Sequence, residues 1–148
     1  MGLITNEIKN FIEQQKLGYV ATVSPDNTPN LSPKGTISVW NDEHLVFADI
    51  KSPKTMANLE KNPTLEINVV DPITRKGYRF KGTGTILGSG LEYDKIISHY
   101  KTMGIKSKIG RVVLIKVASV KGVTSPLYDL GYTEDEIKKR WKDYYLSS

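Results

Sequence analysis

Cysteine is absent from the 148 residues. Disulfides, thiolate nucleophiles and thiolate metal sites are thereby excluded, and a reducing, cytoplasmic setting is expected. Histidine is nearly absent: His44 and His99 stand alone, without neighbouring ligands at metal-binding spacing, so no metal site is expected. No apolar run approaches the roughly 20 residues that cross a bilayer, and no charged start followed by an apolar stretch marks a secretory leader. No nucleophile–base pair for hydrolysis can be picked out. Runs of five like charges are missing too, although Lys and Arg outnumber Asp and Glu by 21 to 16, a formal net charge of +5. A positive excess spread in this way leaves open a solvated basic surface, an anionic small molecule or nucleic acid.

What is present reads as one domain over residues 1–148, with 39% hydrophobic and 25% charged residues. Ile4, Ile8, Phe11 and Ile12 recur at helical spacing, with Thr5 or Asn6 as a cap and Gly18 following the helix end. Strands are expected over 17–24, 30–40, 44–50, 65–69, 77–87 and 111–121. Turn residues stand at Pro25-Asp26-Asn27-Thr28 and Asn41-Asp42-Glu43. A short helix opens at Ser52 and stops before Pro63. Ser89 with Glu92 has capping-box spacing for a helix through Tyr93, Ile96, Ile97 and Tyr100, closed by Gly104. Thr133 with Glu136 repeats that pattern for a last helix over about 133–145, whose Ile137, Trp141 and Tyr144 or Tyr145 dock it on the barrel or a partner. Residues 122–131 read as irregular. Six closely spaced strands with flanking helices point to a mainly β fold, an antiparallel barrel or strongly curled sheet.

Two segments carry chemistry. The strand ending Phe47-Ala48-Asp49-Ile50 runs directly into Lys51-Ser52-Pro53-Lys54-Thr55. Ser52 suits an N-cap and Pro53 the first helical position. A lysine in the first turn opposes the helix dipole. Free amides, hydroxyls and a cation at one point are what a phosphate requires. The second segment alternates Asn30, Ser32, Lys34 and Thr36 on one face. Pro33 marks an edge or bulge and Gly35 a close approach. A hairpin joins the two segments, so Lys34 and the Ser52 helix start are expected to border one cavity. Gly82-Thr83-Gly84 lies inside a strand pattern and lacks dinucleotide-loop spacing.

The pattern from Thr28 through Gly35, the strand Leu45–Asp49, Ser52-Pro53-Lys54-Thr55 with Asn58, Asn62-Pro63, and Gly77 through Gly82 resembles the pyridoxamine 5′-phosphate oxidase-related flavin-binding split-barrel family. The resemblance implies a six-stranded antiparallel split β-barrel that forms a homodimer, with FMN at the interface and a small molecule as substrate. It implies that Ser52, Lys54 and Thr55 hold the phosphate. Asn30, Ser32, Lys34 and Gly35 line the ring or ribityl chain, and Phe47, Ala48 and Asp49 follow the flavin edge. Arg79 and Lys81 reach the cofactor held by the other subunit. Relatives use the deazaflavin F420 or haem instead of FMN, so F420 is the alternative cofactor.

This sequence departs from that pattern in two places. After Arg111 only Arg140 remains, so the C-terminal arginine motif that binds pyridoxamine phosphate is missing and that oxidation is not expected. Pro53 stands where relatives often carry a basic residue. The expected function is an FMN-dependent oxidoreductase. The alternatives are a flavin-holding module without efficient turnover and a basic barrel that binds nucleic acid. The last is weakened because alternation sends Tyr78 and Phe80 to one face and Arg79 and Lys81 to the other.

Overall fold

A computed structural model describes residues 2–147. Seven strands form one antiparallel sheet: β1 (Gly18–Val23), β2 (Pro29–Lys34), β3 (Ser38–Val39), β4 (His44–Ala48), β5 (Thr64–Asp71), β6 (Lys76–Leu87) and β7 (Val112–Thr124). Their order is β2-β1-β5-β6-β7-β4-β3. The helices are α1 (Asn6–Gln15), α2 (Pro53–Lys61), α3 (Leu91–Thr102) and α4 (Glu134–Leu146).

The expected strand over 30–40 is two strands, β2 and β3, which raises the count from six to seven. They occupy opposite edges of the sheet. Only Gly35, Thr36 and Ile37 lie between them, so Lys34 and Ser38 are at most about 14 Å apart at roughly 3.5 Å per residue. Six strand spacings in a flat sheet would separate the same edges by about 29 Å. The sheet must therefore curl until its edges nearly meet, leaving a split that the crossover bridges. The long strands β6 and β7 provide the curl, with a bulge at Lys81/Gly82. A Cβ on Gly18 would lie 2.6 Å from Ile37 Cδ1, so this glycine is the space into which the crossover packs. It follows the end of α1, which closes at Lys16 in the left-handed conformation (φ 56°).

Inward positions of the strands, among them Val20, Ile67, Phe80 and Ile115, form the barrel core with Ile8 and Ile12 of α1 and Met56 and Leu59 of α2. A second, smaller core of Val46, Ala48, Ile96, Tyr100 and Val112 lies under α3. Thr5 caps α1 by accepting the Ile8 N–H. The Ser89–Glu92 capping box does not form: Gly90 (φ 102°) is the N-cap of α3, which moves Ser89 outside the helix. Glu92 instead accepts the Trp40 indole N–H at 2.7 Å. Residues 122–124 are not irregular; β7 continues through them, paired with Lys76, Gly77 and Tyr78.

The last helix docks on the barrel. Ile137 is buried, and the Arg75 guanidinium lies 3.6 Å from the centre of the Trp141 ring while donating to the Tyr145 hydroxyl at 3.0 Å. Both halves of the Thr133–Glu136 capping box are made. Thr133→Ala is expected to cost about 1 kcal/mol, the usual value of an N-cap, read as a small drop in thermal midpoint with the β-sheet signal unchanged. No helix is long and apolar enough to cross a membrane among the described residues.

Candidate functional site

The inward row of β2 meets the end of β4 and the start of α2. In the β2–β1 ladder, Lys34 faces Gly18, Ser32 faces Val20 and Asn30 faces Thr22. Lys34 points inward and is only 6% exposed. Its ammonium donates to Ser32 Oγ and lies 6.0 Å from the centre of the Phe47 ring. It makes no ion pair within 4 Å among the described residues. Burial holds its pKa below the ordinary lysine value, and the negative charge of Asp49 partly opposes that shift.

Phe47 and Ala48 are buried in the final residues of β4, and Asp49 follows them half-buried. Asp49 is held by its main chain: its N–H donates to Arg111 O at 2.8 Å, and its carbonyl accepts from Gly110 N–H at 3.0 Å. Its carboxylate accepts the Ser52 N–H at 3.2 Å. Ser52 is the N-cap residue of α2, with Pro53 at the first helical position, but its hydroxyl makes no capping bond. Any donor left open in the first turn remains available to a ligand. Thr55 is buried and Lys54 exposed. The helix is fixed to the barrel by Asn58, which donates to Thr22 Oγ1 at 3.0 Å and to Ser24 Oγ at 3.4 Å.

The expected cavity shared by Lys34 and the Ser52 helix start is not found: two open clefts flank the α2 tip, and Lys34 lines neither of them, because its side chain is buried against Ser32 and Phe47. Lys54 lines one with Asn30, Ser24 and Asp26. Asp49, Lys51, Ser52, Glu60 and Arg111 line the other. Gly35 is exposed, and a Cβ there would meet only Lys16 O at 3.8 Å, so no chain segment approaches it closely. Arg79 and Lys81 lie on the opposite face of the sheet from Lys34, because they pair with Asn68 and Glu66, the outward residues of β5. Arg79 is 3.6 Å from Glu66 there.

The sequence reasoning left out Arg111, which bonds Glu60 of α2 at 2.8 Å and passes its carbonyl to Asp49. Nothing local marks Arg111, since its role follows from the β4–β7 pairing. Thr22 and Ser24 were also passed over; as inward polar positions opposite β2 they were accessible to alternation.

The fold is thus an antiparallel split barrel with helices over its openings. Its candidate site has a buried cation on β2 and a helix start whose N-cap hydroxyl is unused, linked through Asp49, and each of the two ends is receptive to an anion. The chain belongs to the pyridoxamine 5′-phosphate oxidase family, whose sequence model matches residues 4–123. Among solved structures it is similar to HupZ of Group A Streptococcus, at 31% identity over 83% of this chain and 96% of that one, with a TM-score of 0.75. It shares its fold with an FMN-binding protein from Syntrophomonas wolfei subsp. wolfei (17% identity, 82% and 87% covered, TM-score 0.68). An F420 reductase has the same fold (19% identity, 80% and 98% covered, TM-score 0.61). No curated protein matches the chain.

Proposed function

We propose that this protein is a homodimeric flavin-binding oxidoreductase that holds FMN, with F420 as the alternative, and exchanges electrons with a small molecule. The observation that carries the reading is the buried Lys34 ammonium, bonded to one hydroxyl and drawn by the charge of Asp49, whose carboxylate in turn holds the Ser52 N–H at an α2 start that its own N-cap side chain leaves open. Burying a cation without a paired carboxylate is costly unless an anion arrives to share the site. The family match and the FMN-binding and F420-reducing relatives support the same class of ligand.

In this reading the Ser52 and Thr55 hydroxyls and the first-turn amides of α2 receive the phosphate, and Lys54 contributes its charge from the flank. Asn30, Ser32, Lys34 and Gly35 line the ring or ribityl chain, while Phe47, Ala48 and Asp49 border the ring edge. Arg79 and Lys81 face outward and serve the cofactor of a second copy. Hydride chemistry belongs to the flavin ring when it is bound. The chain's own residues bind it, orient it and set the charge around it. Lys34 brings positive charge to a dry wall, where it favours a more negative ligand.

A titration with FMN, followed by flavin absorbance and fluorescence, tests the reading. Saturable binding is expected, and Lys54→Glu should weaken it at least tenfold, because a charge-assisted hydrogen bond contributes about 1.5–3 kcal/mol. Unchanged affinity in that variant would remove the phosphate assignment. A bound flavin that neither NADH nor NADPH reduces would favour the flavin-holding module over the oxidoreductase.

A further inference from the structure

Lys34 ends β2 immediately before the crossover over 35–37, which carries no strand pairing. Lys34 is held on one side by its pairing with Gly18, and on the other side its placement depends on what holds that crossover. Two buried bonds do so, both at Thr36. Its Oγ1 accepts the Ala48 N–H at 3.0 Å, and its carbonyl accepts the Tyr100 O–H at 2.7 Å. Tyr100 comes from α3 and is fully buried. Burial pushes its hydroxyl far above the ordinary tyrosine pKa, so it stays a donor at working pH.

The same helix reaches the other charged residue of the site. Tyr93 precedes Tyr100 by seven residues, two helical turns, and so lies on the same face. Its hydroxyl donates to Gly110 O at 2.8 Å. Gly110 in turn donates its N–H to the Asp49 carbonyl at 3.0 Å, and a Cβ on Gly110 would lie 3.7 Å from Asp49 Oδ2. Two tyrosines of one helix thus end on the main chain beside Lys34 and beside Asp49. Packing alone does not call for this: phenylalanine would fill the Tyr100 position in the small core under α3 equally well. That core is separate from the barrel core, so the hydroxyls can be removed with the barrel intact.

We infer that α3 is a bracket that sets the placement of Lys34 relative to Asp49, with Tyr100 and Tyr93 as its positioning residues acting through the Thr36 and Gly110 carbonyls. The inference deepens the cofactor reading and rests on it only where cofactor affinity is the measurement.

Tyr100→Phe in the full-length protein provides the test. In the cofactor-free chain, the ε-carbon resonance of Lys34, assigned by its loss in Lys34→Met, is titrated by NMR. The wild-type group is expected to titrate below the ordinary lysine value, and Tyr100→Phe to move it back toward that value as the crossover loosens and water enters. Ile96→Val, which trims the same core without touching a hydroxyl, is expected to leave the titration where it was. With FMN as the probe, Tyr100→Phe should raise Kd at least fivefold in the wild-type background and less than twofold in the Lys34→Met background. An unmoved Lys34 titration in Tyr100→Phe, or equal affinity losses in both backgrounds, overturns the bracket. A wild-type protein that binds no FMN overturns the cofactor reading instead, and the NMR titration then decides the bracket by itself.

Discussion

Lys34→Met is expected to raise the thermal midpoint of the cofactor-free protein while lowering its FMN affinity ten- to a hundredfold. The two effects have one cause. The Lys34 ammonium is buried with a single hydroxyl partner, and Asp49 attracts it without forming an ion pair. Methionine, one heavy atom shorter, keeps an unbranched apolar stem in the same space and removes the desolvated charge. The affinity loss follows from the 1.5–3 kcal/mol of a hydrogen bond to a charged group, about 10- to 100-fold in Kd. The pH dependence has a definite sign. Because the folded-state pKa of Lys34 lies below the unfolded value of 10.5, the unfolded chain binds more protons between those two values. Stability contributed at this site therefore rises with pH across that window, and the penalty is largest below it. Thermal melts from neutral pH to pH 10.5 should show this rise in wild type relative to Lys34→Met. A Met variant that melts lower and binds FMN as before would end the assignment of Lys34 to the ligand.

Leu31→Arg is expected to turn a dimer into a monomer and to weaken FMN binding with it. The outer face of β2, β1, β5 and β6 is a sheet surface without a covering layer. Leu31 is 68% exposed on it, with Tyr19 and Val70 also exposed and Ala21, Val23 and Val123 half-exposed. Leu31 pairs with Ala21, and Ala21 with Glu66, so these side chains form one continuous surface. Contiguous apolar patches on a soluble chain usually mark an interface. Arg79 and Lys81 stand on this same face, turned away from the Lys34 wall of their own subunit. The part in cofactor binding proposed for them therefore requires a second copy. Arginine at Leu31 places a charge on the most exposed apolar side chain of that surface. Light scattering of the wild type and the variant reads the first effect, and FMN titration the second. A monomeric wild type that binds FMN would overturn the dimer, and with it any role for Arg79 and Lys81 at the ligand.

The inward alternation of Asn30, Ser32 and Lys34 could be read from the sequence, because side-chain direction in a strand depends only on parity. Ser52 and Pro53 marked the start of α2 for a similarly local reason, the rules of helix initiation. Ser89 misled because Gly90 can adopt a positive φ and start the helix one residue later. The run from Asn30 to Val39 misled more seriously. Its polar–apolar alternation continues across Gly35 in the sequence, while its hydrogen-bonding partner changes from β1 to β4 and the face changes with it: Leu31 is exposed on β2, whereas Ile37 and Val39 are buried in the barrel core. Alternation fixes relative faces only within one strand, and says nothing about where one strand ends and the next begins.

Periodicity, caps, turn residues and family pattern in the chain itself determined the order of elements, the antiparallel split-barrel class and the chemical character of the α2 tip. The elements and the α2 tip are local features, and the split-barrel class came from the family pattern that spans residues 28–82. The tertiary structure alone decided that Lys34 is buried, that the Asp49 carboxylate holds the Ser52 N–H while the Ser52 hydroxyl makes no capping bond, and that Arg79 and Lys81 face outward from the site. Those outcomes depend on curling a seven-stranded sheet until its edges approach, and on contacts such as Tyr100 with Thr36 that join residues 64 positions apart. Hydrophobic closure of the barrel selects such contacts, and no short stretch of sequence encodes them.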